Sequence, residues 1–479
     1  MRITLATRHV DRAFIPLALM YLKASLVGRG CCAADEVAIL EFGRDATAEE
    51  IAGSLADAHP DVLGLSCYVW NVKAILAAAA LVKAHAPGVK IVLGGPEVGP
   101  VAADVLRHHP CVDAVVHSEG EIPFADIVQA WQSDADLDGV AGISFRKGDA
   151  IVDTGVAGLV KRLDDYPSPH LEGYLDYRKR VVCIETQRGC VFQCNFCFYN
   201  KDYSLRNRRF DLERVKHELL VALKQDVLEI YLMDPVFNLN AARAKEICRF
   251  IAEHNQRRIP IHSEIWAEFV DEELASLMRA AGFALLEVGL QTTDPATLAT
   301  ADRRLRLERF NEGIAHLHRH QLKFELHLIF GLPGETHATF LRSLNFGMAL
   351  DPPELSVFRL MVLPGTELWR KADALKLTFD PEPPYLVRSH LSMTAEDMEF
   401  GTRFQKAANL LQSSRTVRLL SRERDLSFTD IIEEWLAWRP AGQAYEADNP
   451  TLKAFVAHVC RRRAIQADFY ERFGALEFA

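Results

Sequence analysis

The chain alternates short aliphatic runs with amphipathic stretches, and it does so twice, with an interruption between the two series. Few folds accept such a pattern, because adjacent parallel strands need a crossover segment and that segment is usually a helix. In residues 1–135 strands are expected at Ile3–Ala6, Val37–Leu40, Val62–Ser66, Lys90–Leu93 and Ala114–Val116. Amphipathic helices are expected over Pro16–Val27, Ala48–Ala58, Val72–His85 and Val101–His108. Five strands with four helices between them predict an α/β domain with a parallel, doubly wound sheet. Ligands of such sheets bind beyond the carboxyl ends of the strands. Those ends here are rich in glycine and hydrogen-bonding groups, as in Ser66-Cys-Tyr-Val-Trp-Asn71, Gly94-Gly-Pro-Glu-Val-Gly99 and Ser118-Glu-Gly-Glu121.

Residues 136–180 read as a connector, with a hairpin over Gly142–Val152 and a linker over Leu163–His170. The alternation then restarts, with strands expected at Val181–Thr186, Val227–Met233, Ile261–Ala267, Leu285–Gln291, Lys323–Phe330 and Ser356–Val362. Helical patterns fall between them, at Leu212–Lys224, Ala241–His254, Glu272–Ala281 and Thr339–Ala349. Six such units over 181–384 predict a partial (β/α)6 barrel with its chemistry at the carboxyl ends of the strands. Residues 385–479 show no strand pattern and predict a helical domain, with stretches at Ala395–Leu411, Phe428–Trp438 and Leu452–Phe473. Trp435 and Trp438 read as the core of this tail.

A formal charge of −10 argues against a nucleic-acid binder, which needs a lysine and arginine excess to neutralise phosphates. The local basic clusters, Arg303, Arg304, Arg306 and Arg309 and then Arg461, Arg462 and Arg463, read as solvated helix faces. The first residues lack the apolar core of a signal peptide, and the most apolar run, Ala74–Val82, is short and alanine-rich. A cytoplasmic protein with no membrane partner is expected. Of ten cysteines, three crowd into eight residues, which in a reducing compartment points to metal ligation.

That triplet is Cys190-Val-Phe-Gln-Cys194-Asn-Phe-Cys197, in the loop after the first barrel strand. Thiolates are the usual ligands of iron–sulfur clusters, and three ligands on a four-iron cube leave one iron open. Gly189 lets the chain turn before the first ligand, and Phe196 and Phe198 are expected to shield the cluster from water. A structural zinc site would want four ligands, and no fourth Cys or His follows at short spacing; Cys183 lies inside a strand. The spacing C-x3-C-x2-C, with an aromatic residue before the last Cys, resembles that of the radical S-adenosylmethionine (SAM) superfamily.

The resemblance extends along the chain and carries expectations with it. It implies a [4Fe–4S] cluster, the catalytic metal centre, on Cys190, Cys194 and Cys197. It implies SAM contacts from Asp234 and Asn238 after the second barrel strand, and from Ser263 and Glu264 on the third. The period of two would put Glu264, Trp266 and Glu268 on one inner face. Gln291 and Thr292 follow the fourth strand, and Gly331 belongs to the adenine-binding segment His327-Leu-Ile-Phe-Gly-Leu-Pro-Gly-Glu335. His327 stands where many relatives carry Asp. Leu363-Pro-Gly-Thr-Glu-Leu368 looks like a further signature of the family.

The first domain resembles the Rossmann-like cobalamin-binding domain of one radical SAM class. Its recurring turns are Gly94, Gly95 and Glu97, then Glu119 and Gly120, with Ser118 where glycine is usual. Tyr68, Val69, Trp70 and Asn71 would lie against the lower face of the corrin. No Asp-x-His-x-x-Gly motif supplies an axial histidine, so base-off, His-off cobalamin is implied. With Pro384-Tyr385 and the helical tail, the chain looks like a subgroup whose C-terminal domain is uncharacterised. The resemblance implies a cobalamin-dependent methyltransferase that uses methylcobalamin and a 5′-deoxyadenosyl radical. It would methylate an unactivated carbon, or phosphorus, of a small molecule or peptide, drawing on an electron donor such as flavodoxin or ferredoxin. Two alternatives stand beside it: the same cofactors used for ring contraction, cyclisation or another rearrangement, and a non-catalytic corrinoid and iron–sulfur binding or sensor protein. A tRNA methylthiotransferase would want further cluster cysteines upstream and a basic module, and the sequence has neither.

Overall fold

The computed structural model describes residues 1–174, 176–200, 207–422, 426–439, 447–463 and 465. Its first sheet contains β1 (Ile3–Arg8), β2 (Val37–Phe42), β3 (Val62–Ser66), β4 (Lys90–Gly94) and β5 (Ala114–Val116), all parallel, followed by β6 (Ile143–Lys147) and β7 (Ala150–Asp153). The strand order is β2-β1-β3-β4-β5-β6-β7. Leu63, Leu65, Ile91, Leu93 and Val115 are sealed from water, which is why these strands read as unbroken aliphatic runs. The hairpin expected in the connector is part of this sheet: β6 pairs antiparallel with β5, Val116 opposite Ile143 and Ala114 opposite Phe145. It covers a strand edge that would otherwise present unpaired backbone groups. A helix at Glu121–Gln132, absent from the sequence expectations, buries Phe124, Ile127 and Val128 beneath it.

The second sheet is the barrel. It comprises β8 (Val181–Ile184), β9 (Glu229–Leu232), β10 (Ile261–Ile265), β11 (Phe283–Gln291), β12 (Phe324–Phe330) and β13 (Glu354–Arg359), side by side in chain order and all parallel. Burial alternates along β12: Phe324, Leu326, Leu328 and Phe330 are fully covered, whereas Glu325, His327 and Ile329 occupy the other face. The covering helices include Leu212–Lys224, Ala241–His254, Glu272–Ala281, Leu307–Arg319 and His337–Ala349.

A six-stranded barrel of this kind is open at both edges, and each edge is covered by a different part of the chain. On β8, Val181 N donates to Ala13 O (2.7 Å) and its carbonyl accepts from Ile15 N (3.1 Å), so the loop after β1 caps the barrel's first strand. Arg180 fastens the same contact, donating to Phe14 O (2.7 Å) and to Glu41 of the first domain (2.6 Å). On β13 the cap is made of side-chain amides from the helix Ala395–Leu411. Asn409 Oδ1 accepts from Val357 N (2.8 Å), and Gln405 Nε2 donates to Val357 O (2.7 Å). Gln412 Oε1 takes Leu355 N (3.1 Å). The tail therefore closes the barrel's side, which the sequence reading had not assigned to it, and Met398 reaches the carboxyl end of β12, where a side chain at Gly331 would meet it at 2.8 Å. Trp435 is fully buried against Phe455, as core. Of the helix expected at Leu452–Phe473, the structure shows Asn449–Arg463; residues 464 and 466–473 lie outside the described residues. Among the described residues no helix is long and apolar enough to cross a membrane.

Candidate active site

After β8 the chain turns into the cysteine loop, and Asp234, at the carboxyl end of β9, holds that turn. Its Oδ1 accepts from the backbone N–H of Thr186 (2.7 Å) and of Gln187 (3.1 Å), and its Oδ2 from the Thr186 hydroxyl. Complete burial pushes the Asp234 carboxyl up to about 7 in spite of these bonds. Both oxygens accept hydrogen bonds from the turn, so Asp234, expected to contact SAM, also builds the loop that carries the cysteines. Gly189, at φ +84°, then swings the backbone into Cys190. Cys197 N donates to Cys194 O (3.1 Å), closing a tight turn. Asn195 inside that turn donates to Ala301 O (3.0 Å) and Thr300 O (2.6 Å), and its carbonyl accepts from Leu368 N (2.9 Å). The loop is thereby pinned to the segments that follow β11 and β13.

Cys190, Cys194 and Cys197 line one cavity at the carboxyl end of the barrel. Burial pushes the Cys197 thiol up to about 12, with the neighbouring Cys194 adding to it, and burial raises Cys190 too. Thiols in such surroundings become thiolates when a metal takes the proton's place. Among the described residues no three His, Cys, Asp or Glu side chains are placed around a single ion; the thiols border a cavity instead. Phe192 and Phe196 line it, and Phe192 stacks on Trp266 with ring centres 3.9 Å apart. Phe198, expected to help shield the metal, is not among the lining residues.

The opposite wall comes from β10, β11 and β12. Glu264 faces Glu287 in register across adjacent strands, and both line the cavity. Tyr231 on β9 donates its hydroxyl to Glu287 Oε1 (3.1 Å). Burial and the charge of Glu287 push Glu264 up to about 7, so it exchanges its proton around neutrality. His327 borders the cavity with its ring edge-on to Phe358 (5.0 Å). Gln291, in the left-handed region at φ +67°, points an amide into the cavity whose buried Oε1 has no partner. Gly289 makes room for it: a side chain there would come within 2.5 Å of Gln291 Nε2.

Arg303 overturns the reading of its basic cluster as a solvated face. It is 8% exposed and lines the cavity, with its guanidinium 4.4 Å above the Trp266 ring. Nη2 donates to Gly289 O (2.5 Å) and Nη1 to Cys194 Sγ (3.6 Å), while the buried Nε has no partner. Several other residues expected to contact SAM make hydrogen bonds within the protein. Asn238 clasps the backbone of Trp266, donating to its carbonyl and accepting from its N–H at 2.9 Å each. Ser263 donates to Leu232 O (3.1 Å), and Thr292 shares a hydrogen bond with Ser343 (3.2 Å). Gly331, at φ +90°, donates its N–H to Glu335 Oε2 (2.7 Å). Glu268 does not share the face of Glu264, because β10 ends at Ile265; its carboxylate binds Arg306 (2.6 Å) outside the cavity.

At the carboxyl end of the first sheet, Tyr68 and Trp70 stack with centroids 4.5 Å apart, and Trp70 is half exposed. Val69 between them is part-buried. Asn71 is fully used in building this turn, accepting from Tyr68 N (2.7 Å) and donating to Arg8 O and Ser66 O (3.2 Å each). The Ser66 hydroxyl is buried without a partner. Gly94 ends β4, and Gly95 follows at φ +112°, where a side chain would lie 2.5 Å from Cys67 O. The carboxyls of Glu97 and Glu119 go elsewhere than expected. Glu97, raised to about 7 by burial, accepts from the Tyr385 hydroxyl beyond the barrel. Glu119 accepts from Arg208 (3.1 Å) and Tyr166 (3.0 Å) and lies 3.3 Å from Arg188, which also meets Glu121 (2.7 Å) and Glu185 (2.9 Å). Gly120, packed near Leu22, caps the helix Glu121–Gln132. His9 and His117 are engaged by Glu41 (2.8 Å) and Ser144 (2.8 Å).

Comparison with known proteins agrees with this division. Residues 3–128 match the B12 binding domain and residues 184–347 the radical SAM superfamily. The chain is 31% identical to the cobalamin-dependent radical SAM methyltransferase TokK of Streptomyces tokunonensis, over 67% of this chain and 50% of that protein. It is 29% identical to the 2-(S-pantetheinyl)-carbapenam-3-carboxylate methyltransferase of Streptantibioticus cattleyicolor, over 67% of this chain and 49% of that one. It thus spans about half the length of these two relatives. In fold it is similar to the radical SAM methyltransferase TsrM of Kitasatospora setae, with TM-score 0.69 and 16% identity over 97% of this chain and 100% of that one. Cobalamin, SAM and a [4Fe–4S] cluster are the cofactors of the two matched domains. With both domains in this order, the chain belongs to the radical SAM superfamily, in the branch that carries an N-terminal B12 binding domain.

Proposed function

We propose that the protein is a methyltransferase that moves a methyl group from SAM to an unactivated carbon, or to phosphorus, of a small molecule or peptide. When bound, the cluster supplies the electron that cleaves SAM to a 5′-deoxyadenosyl radical, and cobalamin supplies a carrier for the methyl group. Cys190, Cys194 and Cys197 would hold the cluster. The unpartnered Gln291 Oε1 and Arg303 Nε fit the amino and carboxylate ends of an amino-acid ligand, since each buried polar atom needs a partner. Phe192 and Trp266 exclude water from this wall. Glu264, raised to about 7, can hold or release a proton at its carboxyl beside Glu287 and Tyr231. At the first sheet the Ser66 hydroxyl, the Tyr68–Trp70 face and the close-packed glycine turns would hold a large flat ligand such as cobalamin.

The observation that carries this reading is the triple-cysteine cavity whose lining includes the unpartnered Gln291 Oε1 and Arg303 Nε, on a chain that also has a docked B12 binding domain. A small electron carrier such as flavodoxin or ferredoxin would reduce the cluster. We place the protein in the reducing cytoplasm, where thiols such as those of Cys190, Cys194 and Cys197 stay available to a metal. The test is anaerobic reconstitution with cobalamin, dithionite and methyl-deuterated SAM, followed by mass spectrometry. Formation of both 5′-deoxyadenosine and S-adenosylhomocysteine is expected. Deoxyadenosine alone would favour a rearrangement or cyclisation, and neither product from a protein with its cluster intact would leave a binding protein.

A further inference from the structure

Among the described residues lining the cysteine cavity, Arg303 is the one with a permanent positive charge. Everything around it restricts where that charge can sit. Nη2 is bonded to Gly289 O at 2.5 Å, and the flat face of the guanidinium lies 4.4 Å over Trp266. Trp266 is fixed in turn, on its backbone by the two bonds from Asn238 and on its ring by the stack with Phe192. Phe192 belongs to the cysteine loop itself. The result is a closed circuit from the loop to Trp266, to Arg303 and back to Cys194, whose Sγ accepts from Nη1 at 3.6 Å. A long, flexible side chain would not ordinarily hold one geometry, and its lost rotamer freedom is justified only where the placement matters.

We infer that Arg303 is a positioning residue for the cluster: its guanidinium, fixed between Gly289, Trp266 and the sulfur of Cys194, makes the cluster easier to reduce. The inference rests on the reading of Cys194 as a cluster ligand. Reduction adds one negative charge to the cube and its thiolates. A donor on a ligand sulfur and a cation beside it in a water-poor site both favour the state with more negative charge. The wall across the cavity works against this, because Glu264 and Glu287 would repel the added electron when ionised. The placement of Arg303 offsets them on the side of the cavity where the thiols are.

The test is the midpoint potential of the reconstituted full chain, without SAM, followed by electron paramagnetic resonance. R303Q removes the charge and is expected to move the midpoint to more negative potential, with the reduced-to-oxidised ratio at a fixed poise falling about tenfold, equal to 59 mV for one electron. R303K keeps the charge but not the planar fork, and is expected to lie between R303Q and wild type. Wild-type potential in an R303Q protein that carries an intact cluster overturns the inference. If R303Q takes up no cluster, R303K decides alone: a lower potential supports the inference and an unchanged one overturns it. A wild-type chain that assembles no cluster overturns the reading of Cys190, Cys194 and Cys197 as cluster ligands as well, so the two failures are told apart by the cluster content of the wild-type protein.

Discussion

At the carboxyl end of the barrel, Gln291 Oε1 and Arg303 Nε are buried with no partner, whereas at the end of the first sheet Glu97 and Glu119 are each taken up from across the domain interface. Both ends carry polar residues where parallel sheets bind ligands. In the barrel Arg303 is held by Gly289 O and by Trp266, which Asn238 clasps, and its Nε is left open to a ligand. In the first domain the acidic groups join the two domains, through Arg188, Arg208 and Tyr385. What remains there for a ligand is backbone, the Ser66 hydroxyl and the Tyr68–Trp70 face. On the proposed function, the barrel end would recognise its ligand by side-chain chemistry, and the first-sheet end by shape.

Four substitutions test that contrast, in falling order of effect. Cys194→Ala should abolish cluster assembly and cut 5′-deoxyadenosine formation by about a thousandfold or more, read by iron content and product analysis. Arg188→Met should destabilise the chain by about 3–5 kcal/mol in denaturant titration, because Glu119, Glu121 and Glu185 lose a buried counter-charge. An unchanged unfolding midpoint would show that the interface acids are not structural, and the contrast would fail.

Glu264→Gln should act through pH. The folded-state carboxyl, at about 7, is raised above its ordinary value of 4.5, so the folded chain binds a proton more tightly than the unfolded one. The wild type therefore loses stability as pH rises through this window and levels off above it. In melts of the cofactor-free chain, E264Q should gain on the wild type from pH 5 to 8, reaching up to about 3 kcal/mol, with no gain below about pH 4.5. A constant difference across that range would place the proton elsewhere. Tyr385→Phe should cost the least, about 1 kcal/mol, by removing the hydroxyl that Glu97 accepts from. It should also raise the Glu97 carboxyl further above about 7, since that hydrogen bond lowers it, which a carbon-13 titration of the side chain would detect.

Much of the architecture is legible in the sequence because periodicity and burial coincide. The strands at Val62–Ser66 and Ala114–Val116 and the helices at Val72–His85 and Phe428–Trp438 fall where the pattern puts them. The cysteine loop is legible because three thiols in eight residues admit few readings. Arg303 is not, since nothing in the run Arg303 to Arg309 marks which guanidinium a distant Trp266 will cover. Asp234 and Glu264 look alike in sequence, each an acid in or just after a strand, but Asp234 faces back to the Thr186 turn and Glu264 into the lumen. Glu268 fails for a simpler reason: the period of two was carried past Ile265, where the strand stops. Glu97 and Glu119 depend on contacts with Tyr385 and Arg208, far along the chain, which no local pattern encodes.

The claim on which the rest depends is that Cys190, Cys194 and Cys197 hold a four-iron cluster open to SAM at one iron. Electron paramagnetic resonance of the dithionite-reduced, reconstituted protein, recorded with and without SAM, addresses it most directly. The expected result is a reduced [4Fe–4S] signal whose g-values change when SAM is added, and which is lost in Cys194→Ala. A cluster signal that SAM leaves untouched, or one that survives the loss of Cys194, would contradict it.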